Sequence, residues 1–358
     1  MKSVPPALHP FLPANPLPIV LIGAGGIVRA AHLPAYQKSN FPVTGVYDLN
    51  LDRAKALAAE FGIPRVYTSL EEATENAPPD AIFDVAVPAS ALPAIVAALP
   101  ARSACLFQKP MGENFDQACQ ILELCREKQL TAAVNFQLRF APYTLAARSL
   151  IESGVIGELV DMEVRVTVST PWHLWPFVQQ LPQFEIPYHS IHYVDLLRSF
   201  LGEPQGIYAN SFGQSSKERF GSTIILNYGD SARAVITTNH SHSFGLRHQE
   251  SYIKWEGTQG AIKAQMGLLM NYPEGEADFL EYCTLDSTAR KSAEWKTVPC
   301  EGSWFPDGFV GTMGSLQQYV QGSRDSLTTS VEDAIWTMAA VEAAIRSHKR
   351  GGEPIPRT

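Results

Sequence analysis

Apolar and polar positions follow two different rhythms along the chain. From residue 18 to residue 136, short apolar runs rich in β-branched residues alternate with stretches of helical spacing. Such runs are typical of strands buried on both faces, and their alternation with helices predicts an open, doubly wound parallel sheet. The predicted strands are 18–22, 43–47, 66–67, 81–87, 104–108 and 131–136, and the predicted helices are 27–39, 52–61, 91–99 and 114–128.

After about residue 140 the apolar period changes to two. The run 158–168 predicts a long half-buried strand whose buried face holds Val160, Met162, Val164, Val166 and Val168. Further strands are predicted at 223–228, 232–238 and 251–255, with a hairpin at 257–260, and helices at 143–153, 190–201 and 331–348. This half therefore reads as an α+β domain with a large, mostly antiparallel open sheet.

The change of rhythm predicts three regions. Residues 1–17 carry several prolines and read as an extended arm, 18–140 form the α/β domain, and 141–358 form the second domain. The final helix at 331–348 could pack back on the first domain. An open alternating sheet commonly hides one face in a subunit contact, so we expect a homodimer or homotetramer.

Composition narrows the class of protein. The 358 residues are 45% apolar and 18% charged, with a net charge of −8. A mildly acidic chain without clusters of Lys and Arg argues against nucleic acid and membrane surfaces as partners, and leaves a small molecule as the ligand. Five widely spaced cysteines without a C-x-x-C motif, no signal-peptide pattern and no long apolar run favour a cytoplasmic enzyme with reduced thiols.

A glycine cluster separates the first predicted strand from the first helix, which is the context that makes such a motif informative. Gly23 permits a tight turn, and Gly25 and Gly26 let the backbone approach a pyrophosphate at the helix N-terminus. Ile27 and Val28 lead into the helix, and Val28 stands where the third glycine of G-x-G-x-x-G is expected. A glycine-rich turn without a ligand is the plainer alternative.

Asp48 favours the ligand-binding interpretation. It lies at the end of the second predicted strand, where a carboxylate accepts hydrogen bonds from the adenosine ribose and repels a 2′-phosphate. The first domain is therefore predicted to be a Rossmann-type domain that binds NAD, with NADP the less favoured cofactor.

Five segments in order resemble the Gfo/Idh/MocA (glucose–fructose oxidoreductase/inositol dehydrogenase) family. They are IGAGGIVRAAHLPAY at 22–36, Lys109-Pro110, NFQLRF at 135–140, His192-x-x-Asp195 and GTQGAI at 257–262. The resemblance implies an NAD(P)-dependent oxidoreductase that acts on CH–OH groups of a sugar, polyol or cyclitol.

The resemblance also implies roles for single residues. Lys109 and His192 would be the catalytic pair. Pro88, Ser90, Gln108 and Gln137 would join the glycine loop in binding the cofactor, with Pro88 and Gln137 near the nicotinamide, and Arg139 would lie near the domain junction on the substrate side.

Three positions depart from the family pattern. Gln108 replaces the Glu before the lysine, Leu92 replaces a common His after the 81–87 strand, and Tyr188 replaces an Asp four residues before His192. The last change removes a candidate proton partner. Two rival functions therefore stay open, a glycosidase that uses NAD in a transient oxidation–elimination cycle and a non-catalytic NAD-binding sensor or scaffold.

The expected chemistry requires a base for the hydroxyl proton, because the cofactor takes only the hydride. His192 is a plausible base at neutral pH, and Lys109 can stabilise the developing alkoxide or donate to a carbonyl oxygen in reverse. If the 190–201 helix includes Tyr188, then Tyr188, His192 and Asp195 share one face. Tyr188 could then relay a proton or bind a sugar hydroxyl, and Asp195 could orient the imidazole or be a buried structural residue.

The segment before this helix is rich in aromatic residues that suit sugar rings, although a hydrophobic lid or a subunit contact explains them equally well. Trp172, His173 and His189 are the candidate substrate residues here. The pairs His189/His192 and His240/His242 have spacings that could present two ligands to a metal, but no recognised metal motif accompanies them. We expect no metal.

Overall fold

The computed structural model describes residues 12–172, 184–213, 220–285 and 294–352, which divide into two compact units. The first unit holds described residues of 9–141 together with 304–338, and the second holds described residues of 142–303 together with 339–352. The sequence pattern placed 304–338 in the second domain. That segment belongs with the first unit because its apolar side chains complete the core there, as described below.

The described residues of the first unit form a five-stranded parallel sheet in the order β2-β1-β3-β4-β5. The strands are β1 (Ile19–Ile22), β2 (Val43–Tyr47), β3 (Ile82–Val85), β4 (Ala104–Phe107) and β5 (Thr131–Val134). The residues of these strands are buried, as expected for strands covered on both faces. The exceptions are Val43, Thr44 and Tyr47 of β2 and Thr131 of β5, which are half-buried. The strand predicted at 66–67 is a single bridge from Val66 to Val46, because so short a run makes no ladder.

The helices of the first unit match the predicted order, with additions. A π-helical segment, Val28–His32, runs into α1 (Leu33–Lys38). The other helices are α2 (Leu51–Phe61), α3 (Leu70–Glu75), α4 (Leu92–Ala98), α5 (Phe115–Glu127) and, late in the chain, α8 (Asp307–Val320). The sequence pattern missed α3 and α8. Phe309, Val310, Met313 and Leu316 of α8 join Ile19 and Leu21 in one buried cluster.

The second unit is built on an eight-stranded sheet in the order β13-β12-β11-β10-β6-β9-β8-β7. The strands are β6 (Leu159–Thr167), β7 (Gly206–Phe212), β8 (Gly221–Asn227), β9 (Arg233–Asn239), β10 (Glu250–Gly257), β11 (Gly260–Gln265), β12 (Phe279–Thr284) and β13 (Lys296–Val298). Neighbours in this described sheet are antiparallel except β6 and β9. The prediction of a doubly wound parallel sheet followed by a large, mostly antiparallel one is confirmed.

Strand β6 shows one error in the predicted buried face. Met162, Val164, Val166 and Val168 are buried, but Val160 is exposed. The pairing of β10 with β6 passes from Asp161 directly to Leu159, so Val160 is the extra residue of a β-bulge. A bulge re-aims the side chain of its extra residue, and the simple alternation fails there.

Helices cover one face and one edge of the second sheet. They are α6 (Pro142–Glu152), a π-helical segment (Glu185–Ser190) that continues into α7 (Ile191–Leu201), and α9 (Val331–Arg350), whose residues from 339 onward belong to this unit. The edge strand β7 donates its Ala209 and Ser211 N–H groups to Ser347 and His348 of α9. Within the described residues, no helix is both long and apolar enough to cross a membrane.

Candidate functional site

The glycine loop of the first unit has the shape that a bound diphosphate requires. Gly23 has a φ of +111°, and a Cβ there would lie 2.3 Å from the Ala86 carbonyl oxygen, so only glycine fits this turn. Gly25 and Gly26 differ, because no described atom lies within 4 Å of a Cβ built on either one. The backbone is therefore open to a ligand on the side where a pyrophosphate would approach.

Asp48 closes the loop onto the end of β2. Its Oδ2 accepts a hydrogen bond from Ala24 N at 2.7 Å, and its Oδ1 accepts one from Asn50 N at 2.8 Å. Each carboxylate oxygen can accept more than one hydrogen bond, so ribose hydroxyls remain possible donors. Arg53 lies 3.7 Å from Oδ1. Asn50 rather than an aspartate caps α2, since its side chain accepts from Arg53 N.

Three other predicted cofactor residues, Pro88, Ser90 and Gln108, lie at the carboxyl end of the sheet. Pro88 and Ser90 are exposed beyond β3, and Gln108 follows β4 and donates its N–H to the Val85 carbonyl. Ile27 is half-buried, but the Val28 side chain is fully buried in the core. Val28 can therefore meet a ligand only through its backbone.

Lys109 follows Gln108 at the same end of the sheet and is half-buried. Its N–H donates to Gln108 Oε1 at 3.0 Å, so the amide that replaces the family's carboxylate orders the backbone locally. Burial lowers the pKa of Lys109 to about 8. The side chain thus exchanges its proton near neutral pH, which suits a group that assists proton transfer.

Gln137 and Arg139 occupy a short 3₁₀ turn, Gln137–Phe140, and have different surroundings. Gln137 is buried, and its Oε1 has no hydrogen-bond partner among the described residues. A buried amide oxygen without a partner is uncommon in a folded protein and calls for a functional or structural reason. Arg139 is also buried, and it pairs with Asp333 at 2.5 Å and donates to the Thr328 carbonyl. These contacts indicate a role in holding the first unit together.

A buried polar network under the sheet end escaped sequence reasoning. Asp84 of β3 lies 2.7 Å from His32 Nδ1 and accepts a 2.7 Å hydrogen bond from Tyr36. Asn135 Nδ2 lies 3.5 Å from His32 Nε2, and Asn135 Oδ1 accepts from Thr312 of α8. Burial, strengthened by Asp84, raises the pKa of Tyr36, so its hydroxyl stays a donor. The one available signal was a carboxylate in the middle of an apolar strand.

His192 and Asp195 lie on α7 in the second unit, and both are buried. Asp195 is 3.9 Å from Arg198, which also pairs with Glu203. Tyr188 precedes α7 in the π-helical segment. The register that would place Tyr188, His192 and Asp195 on one face assumes α-helical spacing, and a π turn takes more residues than an α turn. The simple i, i+4 and i+7 geometry therefore does not apply to Tyr188.

Two further groups surround this helix start. Trp172, Phe184 and Phe220 form an edge-to-face cluster with ring centroids 4.6–5.9 Å apart, and Tyr188 packs against its Phe184–Phe220 core. The predicted substrate residue His173 lies outside the described residues.

The second group is polar and was not predicted. Glu185 Oε1 lies 3.4 Å from His240 Nε2, and the rings of His189 and His240 have centroids 4.2 Å apart. The sequence paired His189 with His192 and His240 with His242, whereas the fold brings His189 beside His240.

The residues present fit a bound dinucleotide in the first unit. The open backbone at Gly25 and Gly26 leaves room for a diphosphate, and the carboxylate of Asp48 can accept hydrogen bonds from a ribose. A nicotinamide would supply the hydride acceptor or donor, and Lys109 lies at the same sheet end.

Both parts of the chain match models of one protein family. The family model GFO_IDH_MocA, described as an oxidoreductase family with an NAD-binding Rossmann fold, matches residues 17–136. Its companion model, described as the C-terminal alpha/beta domain of the same family, matches residues 148–356. Together the two matches span most of the chain and confirm the resemblance found in the sequence motifs.

The individual relatives have low sequence identity to this chain but align with it over most of their length. D-apiose dehydrogenase of Rhizobium rhizogenes is 23% identical over 86% of this chain and 88% of its own length. 1,5-Anhydro-D-fructose reductase of Ensifer adhaerens is 22% identical over 92% of this chain and 96% of its own. An oxidoreductase from Agrobacterium radiobacter, crystallised with NAD+, L-tartaric acid and magnesium, has the same fold with a TM-score of 0.76, 21% identity, and coverage of 94% and 98%.

Proposed function

Because the chain belongs to the Gfo/Idh/MocA oxidoreductase family, we propose that it is an NAD-dependent dehydrogenase or reductase of a sugar, polyol or cyclitol. The observation that carries the proposal is the glycine loop, which is open at Gly25 and Gly26 and tied to Asp48. The substrate class is supported by the names of the two relatives, which act on D-apiose and on 1,5-anhydro-D-fructose.

The choice of NAD over NADP rests on Asp48. Its carboxylate is buried except for 11% of its side chain and is positioned by two backbone N–H groups. A negative charge held in this place accepts hydrogen bonds from ribose hydroxyls and repels a phosphate on the 2′-oxygen. Arg53 lies close enough to offset part of that repulsion, so we expect weaker binding of NADP rather than its complete exclusion.

The proposed reaction separates a hydride from a proton. A bound nicotinamide would take up the hydride of a carbinol C–H bond as the C=O bond forms, and the protein would have to provide a base for the O–H proton. We assign the base to His192 and the stabilisation of developing negative charge on oxygen to the Lys109 ammonium. In reduction the same groups return the proton and polarise the carbonyl.

Substrate recognition is assigned to residues near the start of α7. Tyr188, Trp172 and His189 offer a hydroxyl, an aromatic face and an imidazole in one part of the second unit. Aromatic faces with polar edges suit sugar rings. Arg139, which the resemblance placed on the substrate side, is better explained by its pairing with Asp333.

The test combines cofactor binding with a substrate panel. NADH and NADPH are titrated into the protein, and their binding is followed by fluorescence. Sugars, polyols, cyclitols and sugar acids are then assayed as substrates with NAD+ and NADP+. Gly25→Ala is the matched variant, because its Cβ meets no described atom and so leaves the fold intact while it obstructs the diphosphate. We expect tight NADH binding, at least about tenfold weaker binding in Gly25→Ala, and turnover with a member of the panel.

Other results would redirect the proposal. Preference for NADPH would contradict the role of Asp48. Release of a sugar from a glycoside without net NADH formation would indicate the oxidation–elimination glycosidase. NADH binding with no turnover across the panel would favour a sensor.

A further inference from the structure

We propose that Glu185, His189 and His240 form a binding site for a divalent transition-metal ion, with Zn²⁺ as the best match. Each residue offers one ligand atom, and these atoms all lie within 4.8 Å of one another. Two imidazoles and one carboxylate are a recurring zinc ligand set, and such sites keep a fourth position for water or a substrate oxygen.

The spacing of the ligand atoms suits a tetrahedral ion. Bonds of roughly 2.0–2.2 Å to nitrogen and oxygen place neighbouring ligands about 3.3–3.5 Å apart around zinc. Glu185 Oε1 and His240 Nε2 are separated by 3.4 Å. His189 is the half-buried member of the three, and its ligand nitrogen lies within 4.8 Å of the other two ligand atoms.

Outer partners already orient two of the three ligands. Thr170 Oγ1 lies 3.0 Å from His240 Nδ1, which leaves Nε2 directed at Glu185. Ser190 and Thr238 donate hydrogen bonds of 2.7 and 2.9 Å to Glu185 Oε1. Hydrogen bonds to the second imidazole nitrogen and to the carboxylate are the usual support of a metal site, because they fix ligand orientation.

The burial of Glu185 also favours a bound cation. Its side chain is 95% buried, and among the described residues its Oε2 has no hydrogen-bond partner. A buried carboxylate oxygen without a partner is costly, and coordination to a metal ion would satisfy it.

Aromatic rings limit the access of water to one side of the cluster, which strengthens metal–ligand attraction there. The Trp172 ring lies 5.3 Å from the His240 ring, and it is stacked edge-to-face on Phe184. The ligands come from two separate pieces of chain, the π-helical turn that leads into α7 and the residue directly after β9. A bound ion would therefore tie the helix start to the sheet.

Metal content and affinity test the site. The purified full-length protein is stripped with a chelator and reloaded, its metal is quantified by mass spectrometry, and Zn²⁺ is titrated calorimetrically. The variants are Glu185→Gln and His240→Gln, with His242→Gln as the matched control because His242 bonds to the Arg247 carbonyl instead. We expect one Zn²⁺ per chain and more than about 100-fold weaker binding in the first two variants, since loss of an outer partner alone costs roughly 10–100-fold.

Two further measurements keep the test decisive if a variant fails to fold. Thr170→Ala leaves all three ligands in place and should weaken Zn²⁺ binding by about tenfold. Co²⁺ in the wild type should give the intense visible absorption of a tetrahedral site. The proposal is overturned if the wild type retains no stoichiometric metal, if His240→Gln binds Zn²⁺ as tightly as the wild type, or if Mg²⁺ binds better than Zn²⁺. NADH binding is scored separately, so either proposal can fail alone.

Discussion

The environment of Lys109 changes the pH at which its side chain loses its proton. Burial lowers its pKa from 10.5 to about 8, so the ammonium form predominates below pH 8 and the neutral amine above it. If the ammonium stabilises charge on the reacting oxygen, we expect a Lys109-dependent fall in kcat for carbonyl reduction as the pH rises through about 8. The measurement is a pH profile of kcat at saturating substrate and NADH.

Substitutions separate this charge from other causes of a pH profile. Lys109→Ala should lower kcat by about 100–1000-fold with little change in NADH affinity, because the lost interaction acts on the transition state. Lys109→Arg keeps a positive charge at every pH used, so its residual activity should not decline near pH 8. A decline at pH 8 that persists in Lys109→Arg would assign the titration to another group.

Site residues differ in how far sequence could reveal them. The positions of Asp48 and Lys109 just after β2 and β4 could be predicted, because local patterns predict strand ends, whereas their roles stay predictions. The family resemblance implied a substrate-side role for Arg139, and its contact with Asp333, 194 positions away, could not be predicted because no local pattern connects the two. The contact of Glu185 with His240 was not predicted for the same reason, because the two residues are far apart in the sequence.

At the level of elements, Gly23 allows the glycine loop to pass close to Ala86, the residue that follows β3. Gly23→Ala should lower the free energy of unfolding by more than the roughly 1–3 kcal/mol of an unfavourable φ, because its Cβ would also overlap the Ala86 carbonyl. Gly62→Ala is the control, since Gly62 has a φ of +71° but no described atom within 4 Å of its Cβ. Denaturant unfolding measures both, and equal losses would contradict the overlap argument.

The pattern of apolar residues predicted strands better than it predicted α8. That helix contains Gly308 and Gly311, which are poor helix formers. A Cβ at Gly308 would lie 2.5 Å from the Gln137 carbonyl oxygen, and one at Gly311 would lie 2.3 Å from Phe140 Cβ. The glycines serve close packing against the 3₁₀ turn, and this tertiary requirement overrides the helical preference that a sequence pattern detects.

At the level of the whole molecule, the outer face of the second sheet is expected to be a subunit contact. Tyr208 of β7 is paired opposite Ile225 of β8, and the two side chains are 63% and 41% exposed, with Phe212 at 48%. Apolar neighbours on an open sheet favour association of identical chains.

This expectation is tested by charge substitution on the face. The double variant Tyr208→Glu and Ile225→Glu should have a smaller mass than the wild type in light scattering, with its folded structure retained. Leu49→Glu is the control, because Leu49 is an isolated apolar residue with 92% exposure in the first unit. A monomeric wild type, or a double variant of unchanged mass, would contradict the assignment.

The apolar period changes near residue 140, and the helix at 331–348 was expected to be able to pack back on the first domain. The pattern gave no sign that residues 304–330 belong with the first unit. A change from helical alternation to period two marks where one sheet ends and another begins. It carries no information on which unit a later helix completes, since that depends on the cluster around Phe309 and Met313.

The hydrogen bond from Ala24 N to Asp48 restricts how the proposed preference for NAD could evolve or be redesigned in this protein. A mutation that removes the carboxylate to admit a 2′-phosphate also removes the acceptor that holds the glycine loop. A successful switch to NADP therefore needs a replacement such as Asn or Ser that still accepts from Ala24, and Arg53 already stands nearby to receive the phosphate. Selection for the new cofactor would act on loop order and charge together, so single-step conversions to small apolar residues should be rare.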